Sequence, residues 1–331
     1  MKNRSIYGCV SAWLGIMSVV VAGLAFSGCN KRPYTRIKQL PIEVRLDWNG
    51  VAEADQEQTP SRLKMFLFQE DGTLRAQYDI PQEGLLRNEK VLLNVGVYRA
   101  IVVNVNDNVE VQNADKFETA QLVAKPTSAP FLTDMFSKAD DRNEVVCQPG
   151  WIFSGSLPEM KVGDPITFES DTADVSIFLV PMARRMKTVH LKFTVTGIGS
   201  EIRSVAAALG GIASRIDLTS GEIMGGYQAI SPLALTYASD GTAVLEGTML
   251  IFGNEAEIED ALRNNLYLQF ETVSGRTVSM EEDITDQMKK GSSAGGSQVQ
   301  VEGNLDVRVN AGMVTIVITW TTGTEENLEG V

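Results

Sequence analysis

The sequence is poor in the side chains that carry soft-metal and nucleophilic chemistry. Its 331 residues include three cysteines and one histidine. Zinc and iron sites draw several such ligands at short spacings, so a transition-metal site is not expected. The histidine, His190, lies with Thr188 and Lys192 on the polar side of a predicted strand, and the local sequence prepares no Ser/His or Cys/His pair. We therefore expect no metal ligand and no catalytic residue.

Positive charge is also scarce. The chain has 29 Lys and Arg against 42 Asp and Glu, a formal net charge of −13. Binding to a phosphate backbone requires basic groups that displace counterions, so nucleic acid is not expected as a partner. The densest basic cluster, residues 184–187, is short and is interpreted as a solvated linker between two domains.

Only one long apolar run is present, and it stands near the start of the sequence. Lys2 and Arg4 precede the apolar residues 10–26, which lead through Ser27 and Gly28 to Cys29. This order is typical of a secretory signal peptide. A membrane helix is the alternative, because residues 6–26 approach the roughly 20 residues that span a bilayer. It is disfavoured because the run stops just before a cysteine.

The end of the run, Phe26-Ser27-Gly28-Cys29, resembles the bacterial lipobox. The resemblance implies that signal peptidase II recognises Phe26, Ser27 and Gly28 and cleaves before Cys29, which then carries diacylglycerol and an N-acyl chain. Phe26 stands where the lipobox usually has Leu but remains apolar. Since each buried methylene contributes about 0.8 kcal/mol, such a lipid would hold the protein in its membrane. No other cofactor is expected.

Cleavage at that site would leave a single thiol in the folded chain. Cys9 would be removed with the signal and Cys29 would be lipidated, so Cys147 could form no internal disulfide. Because Cys147 lies in an apolar, strand-like stretch, we interpret it as a buried structural thiol.

Short apolar segments separated by polar turns recur about every ten residues through the rest of the chain, which predicts an all-β sandwich fold. The clearest are residues 40–48, 63–69, 97–105, 188–195, 243–252 and 298–309; residues 145–153 and 175–180 are predicted to close the first sandwich, with turn material at 158–165. One short helix is predicted over 280–290, with Ser279 and Glu282 as a capping box.

Four segments are predicted from these patterns. They are a signal peptide (1–28), a lipidated tether (29–39), an N-terminal β-sandwich domain (40–183) and a C-terminal β-sandwich domain (184–331). A mature length near 300 residues is consistent with two domains, each with its own core.

Three stretches follow the lipobox in order, residues 97–104, 117–120 and 283–288. Through these stretches the chain resembles the Bacteroides-type fimbrillin-related lipoproteins that are allied to fimbrial anchor subunits. The resemblance implies two transthyretin-like (Greek-key) β-sandwich domains in tandem. It also implies a place in or beside surface fimbriae that assemble by strand exchange, and no enzymatic activity. The partners would be fimbrial or other surface subunits.

Two further site predictions follow from the resemblance. Val314, Ile316, Ile318 and Trp320 alternate near the end of the chain as a candidate complementary strand, although an ordinary closing strand of the second domain would look the same. Asp171-Thr172-Ala173 resembles the short sequence at which such bacteria O-glycosylate threonine, which nominates Thr172.

The leading interpretation is a lipid-anchored, non-catalytic outer-membrane protein at the cell surface. It would anchor or terminate a fimbrial polymer as an anchor or accessory subunit, or serve in cell adhesion, through β-strand interactions. The basic residues 30–32 leave the periplasmic leaflet open, because surface-exported members often carry acidic residues there. The alternative is a glycan-binding surface lipoprotein of a polysaccharide uptake system, which would present Trp151, Tyr227 or Tyr237 to the sugar. A hydrolase with a hidden pair of carboxylates is a third hypothesis, and no residues in the sequence nominate that pair.

Overall fold

A computed structural model describes residues 39–85, 91–127, 145–163, 175–197, 202–225, 227–232, 234–237, 243–253, 263–293, 298–310 and 313–320. In the first half the strands are β1 (Gln39–Asp47), β2 (Arg62–Gln69), β3 (Leu74–Pro81), β4 (Gly84–Leu85), β5 (Leu92–Asn94), β6 (Gly96–Val103), β7 (Val109–Gln112), β8 (Gln121–Ala124), β9 (Val145–Val146), β10 (Phe153–Val162), β11 (Ser176–Pro181) and β12 (Ala183–Arg184). In the second half they are β13 (Lys187–Gly197), β14 (Ile202–Ile212), β15 (Arg215–Asp217), β16 (Ile223–Met224), β17 (Tyr227–Pro232), β18 (Ala234–Tyr237), β19 (Ala243–Ile251), β20 (Asn265–Thr272), β21 (Thr277–Asp283), β22 (Gln298–Asn310) and β23 (Met313–Trp320). The helices are α1 (Glu53–Gln56) and α2 (Thr285–Ser293), with a 3-10 turn at Phe117–Thr119.

The N-terminal half forms a sandwich of two sheets. One has the order β11-β1-β4, with β5 also paired to β1, and the other has the order β12-β10-β6-β2-β3. Alternate residues of β1 point into the core between them, which contains Leu40, Ile42, Val44, Leu63, Met65, Leu67, Ala100, Val102, Phe153 and Val180. This burial of one face explains the two-residue hydrophobic period of β1.

The C-terminal half forms a second sandwich, with sheets β18-β19-β13-β22-β23 and β21-β20-β14-β17-β9. Strand β13 lies in the middle of its sheet, antiparallel to β19 and parallel to β22. Its inward residues Val189, Leu191, Phe193 and Val195 are buried in the core between the sheets. The predicted all-β sandwich fold is thus confirmed.

A third core joins the two halves of the chain. The outer face of the sheet that contains β2 and β6 is covered by a small sheet of order β16-β15-β8-β7, which takes β7 and β8 from the first half and β15 and β16 from the second. The layer between them contains Phe66, Phe68, Ile101, Val103, Phe117, Leu122, Ala213, Ile216, Leu218 and Phe252. Strands β2 and β6 are therefore buried on both faces. The division between residues 183 and 184 stays a prediction.

The predicted strand over 145–153 is wrong in extent. Strand β9 ends at Val146 and pairs with β17 of the C-terminal sandwich, whereas β10 begins at Phe153 in the N-terminal one. Between them Gly150 takes a φ of +72°, which favours glycine where the chain turns from one sheet to the other. Strand β10 also continues through Pro158, where a turn was expected, because a shift of register between Leu157 and Met160 accommodates the proline.

The predicted helix over 280–290 starts too early. Ser279 and Glu282 lie in β21, which pairs with β20 over its full length, so the predicted capping box does not form. The chain turns instead at Asp283, whose Oδ1 accepts hydrogen bonds from the N–H of Thr285 at 2.9 Å and from its hydroxyl at 2.5 Å. A seven-residue ladder outweighs a local capping signal, because capping contributes only about 1 kcal/mol.

Candidate functional site: an exposed sheet edge

Strand β11 forms one edge of its sheet. It pairs in parallel with β1 from Ile42 opposite Ser176 to Asp47 opposite Pro181, and no other described strand lies on its far side. Beyond the strand, the N–H of Met182 continues the ladder to the carbonyl of Asp47 at 2.8 Å. Among the described residues, the main-chain groups on this edge pair with no strand, which is the feature that another strand can recognise.

The register shows which residues of β11 present those groups. In a parallel ladder both main-chain groups of one residue point to the same neighbour and those of the next residue point away. Since Met182 faces β1, Phe178 and Val180 also face β1, whereas the N–H and C=O of Ile177 and Leu179 point to the free edge.

The side chains of the same two residues are exposed. Ile177 and Leu179 each retain 56% of their accessible surface, whereas Val180 is buried in the core. Their register partners on β1 are Glu43 and Arg45, and Arg45 Nε donates to Glu43 Oε1 at 2.6 Å. We call the segment formed by Ile177 and Leu179 the β11 edge. It combines free main-chain groups with exposed aliphatic side chains.

The end of the β11 edge is closed to pairing. Pro181 has no N–H and stands where the next free donor would be. Gly155 of β10 lies under this end of the strand, since an added Cβ would clash with the carbonyl of Pro181 and lie 2.7 Å from Val180 Cγ1. The accessible edge is therefore short.

The predicted complementary strand is part of another sheet edge. Val314, Ile316, Ile318 and Trp320 lie in β23, which pairs antiparallel with β22 over all eight of its residues and ends its sheet. Its central residue Val317 is 43% exposed. Donation of β23 to a partner would require this ladder to open, and its role in strand exchange stays a prediction.

The basic residues 184–187 do not form a solvated linker. Arg184 Nη1 donates to both carboxylate oxygens of Asp55, and the side chains are only 8% and 9% exposed. Arg185 Nε donates to Ser154 Oγ at 2.7 Å, and burial lowers the pKa of its guanidinium. The two arginines therefore connect the end of β11 to the N-terminal sandwich from inside. Sequence charge alone could not distinguish such a cluster from a solvated one.

Trp151 does not stand as a free aromatic platform. Its ring is stacked on Phe153, with centroids 6.4 Å apart, and the guanidinium of Arg184 lies 4.9 Å from its centroid. Tyr227 and Tyr237 lie in β17 and β18, and their side chains are outside the described part of the structure. The glycan partner stays a prediction without a described binding surface.

Several predicted sites lie outside the described residues, namely Phe26, Ser27, Gly28, Cys29 and Thr172. Cys147 is free and half-buried rather than fully buried. His190 is half-buried on the side of β13 away from the core, with Nδ1 3.1 Å from Thr248 Oγ1. Within the described ranges no cluster of three or more His, Cys, Asp or Glu is placed to hold a metal ion.

The helices in the described part of the chain are all too short or too polar to cross a membrane.

The β11 edge was missed at the sequence level, where residues 175–180 were interpreted only as a closing strand. The available signal was the run Ile177-Phe178-Leu179-Val180 before a proline, because an apolar run without alternation has side chains on both faces of its sheet. Which face stays exposed depends on the tertiary fold.

Comparison with solved structures shows what this fold is similar to. Two candidate adhesins from Bacteroides ovatus each align with a TM-score of 0.53 at 13% identity; one alignment covers 80% of this chain and 89% of the other, and the second covers 87% and 96%. The fimbrial anchor protein Mfa2 from Porphyromonas gingivalis aligns with a TM-score of 0.49 at 14% identity, over 85% of this chain and 94% of that one. At these identities the likeness concerns the fold alone. The resemblance to Bacteroides-type surface proteins inferred from the sequence is confirmed at the level of the fold by the two adhesin structures.

No curated protein sequence matches this chain. A family model does match, over residues 28–230, which is more than half of the chain. The matched region contains the whole N-terminal sandwich, the β11 edge and the first strands of the C-terminal sandwich. The chain therefore belongs to the family described as domain of unknown function DUF5119.

Proposed function

We propose that the protein is a non-catalytic adhesion or fimbrial accessory subunit that is anchored to the outer membrane through lipid on Cys29 and binds another surface subunit by strand addition at the β11 edge. The observation that carries the proposal is the β11 edge itself. It presents the main-chain groups of Ile177 and Leu179 together with side chains that are each 56% exposed. The fold shared with two candidate Bacteroides adhesins supports an adhesive role.

The physical basis is β-augmentation. A partner strand would form main-chain hydrogen bonds with Ile177 and Leu179, which supply affinity, and its side chains would contact theirs, which supplies specificity. Full burial of a Leu or Ile side chain stabilises by about 1.5 to 3 kcal/mol, and the exposed half of each is available. Pro181 limits how far the added strand can pair, because no N–H donor follows that of Leu179 on this edge.

The predicted lipid anchor completes the proposal. Cys29 stands ten residues before the first described strand residue, Gln39. An extended chain reaches about 3.3 to 3.6 Å per residue, so the tether would hold the sandwich within about 35 Å of the membrane. Labelling with a radioactive fatty acid tests the anchor, with incorporation expected in the wild type and lost in Cys29→Ser.

Copurification from native membranes tests the β11 edge. Wild-type protein carrying an affinity tag is expected to retain its partner subunit, and a variant with Ile177→Lys and Leu179→Lys is expected to lose it, because charged side chains on an edge strand oppose pairing. Val273→Lys is the matched control, since Val273 is a 64% exposed aliphatic residue in the turn after β20. Equal retention of the partner by the double variant would contradict the proposal.

Protease treatment of intact cells tests the leaflet. Degradation is expected if the protein faces the outside. Protection in intact cells together with degradation after lysis would place the protein on the periplasmic side and would overturn the surface role.

A further inference from the structure

We propose that the parallel pair β1 and β11 is a mechanical clamp that resists force applied at the N-terminal end of β1. The source of that force in the cell rests on the proposed function, because it is the lipid on Cys29 that would hold one end while a bound partner pulls on the folded part. The clamp itself is a property of the folded chain and needs neither lipid nor partner.

The direction of loading follows from the chain path. Force from the tether enters β1 at Gln39, and the chain leaves β11 at Pro181 toward β12 and β13. Because β1 and β11 run parallel, the first residue of β1 and the last residue of β11 lie at opposite ends of the ladder. A pull between them therefore acts along the strands in opposite directions. All hydrogen bonds of the ladder are then loaded together rather than one after another.

Strand β1 is held on its other edge as well. The N–H of Ile42 donates to the carbonyl oxygen of Val91 at 3.0 Å, and the N–H of Leu46 donates to the carbonyl oxygen of Glu83 at 3.3 Å. Between them, Val44 pairs with Leu85 of β4. These bonds also lie across the direction of pull. Leu40, Ile42, Val44 and Leu46 are at most 9% exposed, so sliding of β1 would pull four packed side chains out of the core.

The exit from β11 is fixed by buried polar contacts. Met182 continues the ladder with β1, and the N–H of Arg185 donates to the carbonyl of Ile152 at 2.9 Å. Arg184 is paired with Asp55, and its Nε donates to the carbonyl of Met186 at 2.8 Å. Because the segment after Pro181 is tied to the N-terminal sandwich, force from the second sandwich cannot peel β11 from its C-terminal end. The load reaches the β1–β11 ladder as shear.

Single-molecule stretching in two geometries tests the clamp. The mature chain from residue 29, made without its signal and lipid and with Cys147→Ser, carries one handle on the Cys29 thiol. The second handle is attached at Lys192→Cys on an exposed position of β13, which gives shear, or at Ser176→Cys at the start of β11, which pulls the two strands apart across the ladder. We expect unfolding forces at least about twofold higher in the shear geometry, because the hydrogen bonds of the ladder must then break together, which lowers the unfolding rate that governs forced unfolding. Equal forces would overturn the proposal.

A proline pair provides a second test. Phe178→Pro removes an N–H that faces β1, whereas Leu179→Pro removes one that faces the free edge. Only Phe178→Pro should lower the force in the shear geometry, and Phe178→Ala corrects for the lost side chain. Equal losses from both prolines would contradict the clamp. The result is independent of partner binding, so failure of the clamp and failure of the β11 edge as a binding site remain distinguishable.

Discussion

Arg184 of β12 and Asp55 of the short helix α1 form a buried ion pair, in which one guanidinium nitrogen contacts both carboxylate oxygens. Nη1 of the arginine lies 3.1 Å and 2.9 Å from the two carboxylate oxygens. Nη2 of the same guanidinium donates to Thr188 Oγ1 at 2.5 Å, and its plane lies over Trp151. One side chain thus connects the N-terminal sandwich to the first strand of the C-terminal one.

Asp55→Ala should be strongly destabilising. The substitution leaves a buried guanidinium without its counter-charge, and removal of one partner of a buried pair costs about 3 to 5 kcal/mol. Urea denaturation at pH 7 measures the change in the free energy of unfolding. Asp79→Ala is the control, because Asp79 pairs with Lys64 on the surface, where both side chains are about half exposed or more and such pairs contribute about 0 to 1 kcal/mol. Equal effects of the two substitutions would contradict this prediction.

The Asp217 carboxylate should make the free energy of unfolding depend on pH in the acidic range. Burial raises the pKa of its carboxyl, but hydrogen bonds from Thr219 Oγ1 and from the N–H groups of Ser220 and Thr219 lower it by more, so the pKa lies below its usual value of 3.8. A carboxyl whose pKa is lower in the folded state stabilises the protein above its unfolded pKa. That contribution disappears as the pH falls through the folded pKa, below about pH 4.

Asp217→Asn should therefore cost about 1 kcal/mol at pH 7 and progressively less below pH 4. Urea titrations at a series of pH values measure the difference between the variant and the wild type. Asp79→Asn serves as the comparison at a carboxylate without these turn hydrogen bonds. A difference for Asp217→Asn that stayed constant down to pH 2.5, roughly, would show that the charge is not responsible.

Gly155→Ala should displace β11 from β10. An added Cβ would meet the carbonyl oxygen of Pro181 and would lie 2.7 Å from Val180 Cγ1 and 3.0 Å from Met182 Sδ. Overpacking of this kind costs about 1 to 3 kcal/mol. Hydrogen exchange should accelerate over residues 176–182 in particular.

Gly275→Ala separates steric from backbone effects. Gly275 has a φ of +79° and no atom within 4 Å of an added Cβ, so its substitution should cost about 1 to 2 kcal/mol through the backbone alone. Exchange over β11 should then remain at its wild-type rate. If Gly155→Ala left exchange over residues 176–182 unchanged, the close approach of β10 and β11 would be refuted.

A fragment of residues 40–183 should expose the third core. Without β15 and β16 the outer face of β2 and β6 loses part of its cover, which leaves Phe66, Phe68, Ile101 and Val103 partly exposed. The fragment is expected to bind a hydrophobic dye and to self-associate, whereas the chain from 40 to 331 is not. A monomeric fragment that binds no dye would show that the predicted domain boundary is also a physical one.

The strands could be predicted from alternation where one face is buried. Leu40 to Leu46 and Val189 to Val195 alternate because the other face of each strand is polar, and both strands were located nearly to the residue. The run Met65-Phe66-Leu67-Phe68 does not alternate, and only the third core explains why both of its faces are apolar. Pairing between β8 and β15 joins segments far apart in sequence, so no local pattern could indicate it.

The candidate site, too, was predictable where it rests on a local sequence pattern and not where it depends on tertiary contacts. A lipobox is a local pattern, and Cys29 could be nominated from neighbouring residues alone. Exposure of Ile177 and Leu179 depends on which strands flank β11, and burial of Arg184 depends on Asp55, which is distant in sequence. Both places reverse the usual relation between polarity and burial, because the charged Arg184 is buried and the apolar Ile177 and Leu179 are exposed.

The shared small sheet also sets an order of folding. Proteins are synthesised from the N-terminus, so Val123 of β8 can pair with Glu110 of β7 at once, whereas its pairing with Arg215 of β15 must wait until β15 has been made. Until then the outer face of β2 and β6 is covered only in part, by first-half residues such as Phe117 and Leu122, so an N-terminal half on its own exposes apolar surface although its own sandwich core is complete. An N-terminal half that folds before β15 joins it therefore exposes a defined apolar surface, and pairing of β15 with β8 closes that surface.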